Sequence, residues 1–117
     1  MNSLQLIGRL TRDPDHSTTN GKDRTWFTLA VPRGGDTNEA DFISVTCFAG
    51  TAKAVAQYVS KGHRVAIEGR LRSSQYEKNG ETVFALEAIA HRVAFLEPRR
   101  TNGDHNEPAY ASDEEPF

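Results

Sequence analysis

Apolar and polar residues alternate through most of the first hundred positions at the two-residue period of a β-strand. Leu4, Leu6, Gly8 and Leu10 share one face of a first strand. Phe27, Leu29 and Val31 share one face of a second, with Trp26, Thr28 and Ala30 opposite. In Asp41-Phe42-Ile43-Ser44-Val45-Thr46-Cys47-Phe48, Ile43, Val45 and Cys47 form a core face and Phe42, Ser44, Thr46 and Phe48 the wet one. From about Arg64, Val65, Ile67 and Leu71 face inward, and Glu68, Arg70, Arg72, Ser74 and Tyr76 face outward. A fifth strand runs from about Thr82 to Leu96, and Asn79-Gly80 between the last two predicts a two-residue hairpin turn with both residues at positive φ. The period changes between residues 51 and 62, where Ala, Gln and Lys favour helix and Ala52, Val55 and Val59 recur at helical spacing. Thr51 is suited to cap the start of this helix and Gly62 to stop it.

The resulting order, β-β-β-α-β-β, predicts an all-β chain: a five-stranded barrel of the oligonucleotide- and oligosaccharide-binding (OB) type, with one helix between the third and fourth strands. An SH3-like barrel is the alternative, but a three-turn helix at this position fits it poorly. The pattern stops near Glu97-Pro98, which divides the chain into a barrel domain over residues 1–97 and a tail over 98–117. The tail is rich in Pro, Asn, Ser, Asp and Glu and is too poor in apolar residues to offset the entropy of ordering, so disorder is expected there.

Charge sharpens this division. Residues 1–100 hold all 14 Lys and Arg against 11 acids, a net +3, whereas residues 101–117 hold five acids and no base. A mildly basic body with an acidic tail is compatible with a polyanionic partner, despite the overall net charge of −2. The single cysteine, Cys47, excludes a disulfide framework within the chain. The opening MNSLQLIGRL lacks a cationic or long apolar leader, which points to a cytoplasmic protein with no membrane segment.

Two phenylalanines among hydroxyl residues on one wet strand face suit contact with something flat: a nucleobase, a sugar ring or another protein. Parity places Trp26, Phe42, Phe48, Arg70, Arg72 and Tyr76 on one surface. Aromatics interleaved with arginines are what a sequence-tolerant binder of single strands requires, since every base has a π-face and every linkage a phosphate. Phe42 and Phe48 lie roughly 20 Å apart at about 3.3 Å per residue, so they would meet different nucleotides. The candidate stacking residues are Phe42, Phe48, Tyr76 and Trp26; the candidate phosphate contacts are Arg9, Arg12, Arg33, Arg70, Arg72 and Lys78. Each has a simpler alternative: the aromatics could lie at a subunit interface, Trp26 could be a lid on the core, and Arg70 and Arg72 could pair with Glu68 and Glu87. A protein-interaction module is accordingly the competing function class. The histidines and Cys47 show no metal-ligand spacing, there is no phosphate loop or nucleophile motif, and the acids Asp36, Glu39 and Asp41 read as a solvated loop. No catalysis, metal or cofactor is expected.

Several segments, taken together, resemble the bacterial single-stranded DNA-binding protein family: Leu6-Ile7-Gly8-Arg9-Leu10-Thr11-Arg12-Asp13-Pro14, Phe27-Thr28-Leu29-Ala30-Val31, Phe42 through Phe48, and Lys61 through Arg72. The resemblance implies an OB fold, a homotetramer wrapped by single-stranded DNA, a nucleoid-associated role in replication, recombination and repair, and no catalysis. It assigns base stacking to Phe42, Phe48 and Tyr76, smaller rings than the tryptophans many members carry at two of these positions. It also marks a departure, because residues 34–39 hold no ring and are acidic where the family often has bases. The ending Ser112-Asp113-Glu114-Glu115-Pro116-Phe117 resembles the family's acidic tip, which implies that Asp113, Glu114, Glu115, Pro116 and Phe117 recruit replication and repair proteins.

Overall fold

The computed structural model describes residues 1–96 and 109–112. Its elements in chain order are β1 (Leu4–Leu10), β2 (Asp15–Thr19), β3 (Lys22–Pro32), β4 (Ala40–Phe48), α1 (Ala49–Tyr58), β5 (Arg64–Lys78), β6 (Glu81–Phe95) and β7 (Ala109–Ser112). The sheet runs β1-β5-β6-β4-β3, and β1 also pairs with β3, closing these five strands into a ring. The five-stranded barrel with its helix between the third and fourth barrel strands is therefore as expected. All pairings are antiparallel except β4 with β6, where Val45 and Thr46 lie beside Ala88 and Ile89.

Closure gives the alternation its meaning. One parity of every strand points into the ring, and Leu10, Phe27, Leu29, Val45, Cys47, Val65, Ile67, Ala88, Ala90 and Val93 fill it. Each fully buried Val, Leu or Ile contributes about 1.5–3 kcal/mol. The helix plugs the barrel with Ala52, Val55 and Val59, the three residues its spacing singles out. Thr25 Oγ1 donates to the Ala52 carbonyl at 2.7 Å and so ties the buried end of β3 to this plug.

The helix termini differ from expectation. Phe48 occupies the N-cap position without a side-chain cap bond, and Thr51 lies within the first turn, where its hydroxyl donates to the His91 carbonyl at 3.5 Å. Burial against β6 diverts that hydroxyl from capping. The helix ends at Tyr58, before Gly62, whose φ of 84° serves the tight turn into β5.

Two strands go beyond the five expected. β2 is polar throughout and follows no apolar alternation; it forms because Asn20-Gly21 turns the chain at φ of 52° and 75° and pairs residues 15–19 with β3. β7 lies antiparallel to β6 over residues 92–95, within a tail expected to be unstructured. The remainder of the tail, including Asp113, Glu114, Glu115, Pro116 and Phe117, lies outside the described residues.

β5 and β6 are each 15 residues long and extend past the barrel as a two-stranded arm. The expected hairpin turn is present, with Asn79 and Gly80 at φ of 54° and 80°. Leu71, whose parity places it with the core, is 42% exposed because the strand has already left the ring. The departure coincides with a register shift at Glu68/Gly69, where the pairing steps from Arg92 to Ala90 and His91 is the extra residue of a bulge. Only glycine fits at the bend: a Cβ on Gly69 would lie 1.7 Å from the Ile89 carbonyl oxygen. Gly69→Ala is expected to destabilise the protein by about 1–3 kcal/mol through this overpacking, read as a lower urea midpoint.

Candidate nucleic-acid interface

The strand registers assemble the outward face row by row. Trp26 pairs with Thr46 across β3 and β4, and Thr46 lies beside Ile89 of β6, which pairs with Arg70 of β5. In the next row Glu87 pairs with Arg72. Phe42 and Phe48 stand at opposite ends of β4, opposite Ala30 and Arg24 of β3. Tyr76 and Lys78 extend the same parity along the arm. The residues drawn together by parity thus share one continuous surface.

Their availability differs. Phe42 is 69% exposed and Tyr76 50%, whereas Phe48 and Trp26 are half-buried. One face of the indole is already occupied, since the Arg24 guanidinium carbon lies 4.5 Å from the Trp26 ring centroid, a cation–π contact. Arg24 was missed in the sequence reading, although it sits two residues before Trp26 and so shares its parity.

The cations also divide. Arg12 pairs with Asp15 at 3.1 Å, and Arg33 is held by Glu39 at 2.7 Å and Asp41 at 3.0 Å. Glu39 and Asp41 therefore act as partners of Arg33 and offset its charge. Arg9 donates to the Gly62 carbonyl at 2.9 Å. Its register neighbours Ala30 and Arg64 continue the row from Phe42 around the ring, a placement that brings in Arg64, another residue the sequence reading missed. Among the described residues, Arg70 and Lys78 have no carboxylate partner.

Arg72 pairs with Glu87, as its alternative reading allowed. Nε and Nη2 both donate to Oε1, the former at 3.1 Å, and Thr46 Oγ1 donates to Oε2 at 2.9 Å. This network corrects the expectation for Thr46, which has outward parity but is 2% exposed with Trp26, Ile89 and Glu87 around it. Burial pushes the Glu87 carboxyl up, but hydrogen bonds from Arg72 and Thr46, with the charges of Arg72 and Arg24, hold it below the ordinary value of 4.5.

The profile of the single-strand binding protein family matches residues 1–96. The chain belongs to that family. Among relatives within it, "Single-stranded DNA-binding protein 2" of Staphylococcus aureus (strain COL) is 44% identical over 108 residues, covering 87% of this chain and 78% of the relative. "Single-stranded DNA-binding protein 1" of S. aureus (strain MSSA476) is 40% identical over 113 residues, covering 92% and 72%. "Single-stranded DNA-binding protein" of Bacillus cereus is 42% identical over 111 residues, covering 89% and 65%. In this single-strand binding family member no helix among the described residues is long and apolar enough to cross a membrane, and no group of described His, Cys, Asp and Glu is arranged to hold a metal.

The lowered Glu87 carboxyl contributes stability that is fully present above its unfolded value and lost as pH falls through the lower folded one. Glu87→Gln is therefore expected to cost about 1–2 kcal/mol at neutral pH. Urea unfolding in acid, below the lowered folded value, should bring variant and parent together.

Proposed function

We propose that this protein binds single-stranded DNA with little sequence preference and protects exposed strands during replication, recombination and repair. The observation that carries the reading is the shared outward face of Phe42, Phe48 and Tyr76, bordered by Arg70 and Lys78, which have no carboxylate partner among the described residues. Trp26, sheathed on one face by Arg24, is the weakest of the four stacking positions. Family membership and the printed names of the relatives point the same way.

Phosphate contact falls first to Arg70 and Lys78, with Arg9 a further proposed contact; Arg12, Arg33 and Arg72 would have to exchange a carboxylate for a phosphate. The active form is proposed to be a homotetramer. In support, the opposite parity of the arm exposes Leu71, Phe84 and Leu86, an apolar strip suited to burial against a second copy. The acidic tip, Asp113 to Phe117, is proposed to recruit genome-maintenance proteins, its ring suited to an apolar pocket and its acids to a basic rim.

Titration with poly(dT), followed by the fluorescence of Trp26, should show quenching that weakens as salt rises. Each of Phe42→Ala, Phe48→Ala and Tyr76→Ala should weaken binding by about 1–3 kcal/mol, and a chain that fails to bind at low salt would refute the proposal. Deleting Pro116 and Phe117 should abolish capture of repair proteins and leave poly(dT) affinity intact; unchanged capture would refute the recruiting role.

A further inference from the structure

The middle of the proposed DNA surface holds a feature that phosphate binding does not explain. Glu87, an acid on a face meant for a polyanion, borders a half-open pocket of about 190 Å³ between β2, β3, β4 and β6. Trp26, Thr28, Ser44, Thr46 and Arg24 form its walls, and the ion-paired Arg12 and Asp15 stand at its side. At about 30 Å³ per liquid water the space equals about six waters, the scale of one planar ring.

We propose that this pocket is a single-base subsite that reads an exocyclic amino group and favours cytosine over thymine; it rests on the single-stranded DNA reading and deepens it. An ionised carboxylate can only accept hydrogen bonds. Oε1 already accepts two from Arg72, while Oε2 accepts one, from Thr46, and keeps a lone pair among the described residues. One open acceptor suits one N–H donor. Cytosine offers its N4 amino group to such an acceptor, as carboxylates take it in base readout. Its ring nitrogen N3 and carbonyl O2 are acceptors, for which the hydroxyls of Ser44 and Thr28 and the Arg24 guanidinium supply donors in the walls. Thymine has the O4 carbonyl where cytosine has the amino group and would set oxygen against a carboxylate with no shared proton. At Glu87 guanine cannot pair through both N1–H and its amino group, because Oε1 already accepts twice from Arg72. The phosphates, excluded by the same charge, turn outward toward Arg70 and Lys78.

The arrangement also defines what Glu87→Gln should do. The amide oxygen must face the two Arg72 donors, so the NH₂ group faces Thr46 and the pocket and offers a donor where there was an acceptor. Preference should then move from cytosine to thymine, an inversion that loss of a purely structural ion pair would not produce.

The test measures competition binding of the full chain to oligonucleotides of one length, uniformly deoxythymidine, deoxycytidine or 2-pyrimidinone deoxynucleoside, the last lacking only the amino group of cytosine. The parent protein should bind the cytosine strand about tenfold more tightly than the 2-pyrimidinone strand, and Glu87→Gln should reverse the order of cytosine and thymine. Equal affinity of the parent for the cytosine and 2-pyrimidinone strands, with thymine binding intact, would overturn the subsite and leave the DNA reading standing. Failure of every strand to bind at low salt would overturn both. The comparison on the parent protein decides the matter even where Glu87→Gln folds poorly.

Discussion

Pairing of β1 with both β3 and β5 is the constraint on which the rest of the molecule depends. An open sheet of these strands would have two unpaired edges and two wet faces. A closed ring has one interior, so every strand must commit one parity of side chains to it. The inward set is apolar and includes small residues, Val45, Cys47, Val65, Ala88 and Ala90 among them, which suits a narrow ring sealed below by α1. The outward set is thereby brought onto a shared surface without any loop having to place it. Phe42, Phe48, Thr46 and Trp26 need only the register of β3 against β4.

The surface so formed is less basic than its arginines suggest. Arg12, Arg33 and Arg72 each carry a carboxylate partner, and Arg24 is spread over an indole. Exposed pairs such as Arg12 with Asp15 contribute little to stability and can exchange partners readily. The Arg72–Glu87–Thr46 network differs, because it is partly buried and both carboxylate oxygens accept hydrogen bonds. It stiffens the site where the arm leaves the barrel and sets a fixed hydrogen-bond acceptor at its centre. A face built this way holds a strand by stacked rings and a few open cations, which favours tolerance of sequence over most of its length.

Much of this was legible in the chain. The four strand faces, the helix and its buried Ala52, Val55 and Val59, and the Asn79-Gly80 turn follow from periodicity and turn chemistry alone. The misses have physical causes. β2 carries no apolar alternation because it lies outside the ring and buries little; its only signal is Asn20-Gly21, the same turn dipeptide that marks the arm. Leu71 has core parity, but periodicity cannot say where a strand leaves the barrel. Thr51 is a fitting cap residue by type, but its hydroxyl is recruited by His91, forty positions away.

What the sequence determined by itself was local: which residues alternate, where the chain can turn, and hence which aromatics and cations share a face. Those properties depend on near neighbours and on a side-chain period that any strand obeys. Only the tertiary structure decided which outward residues remain available. Arg24 over Trp26, Asp41 and Glu39 on Arg33, and Glu87 between Arg72 and Thr46 are pairings whose energies depend on distances across strands. Charge and aromaticity can be read from a sequence, but whether a cation is spent on a carboxylate or open to a phosphate is settled only when the registers bring the partners within reach.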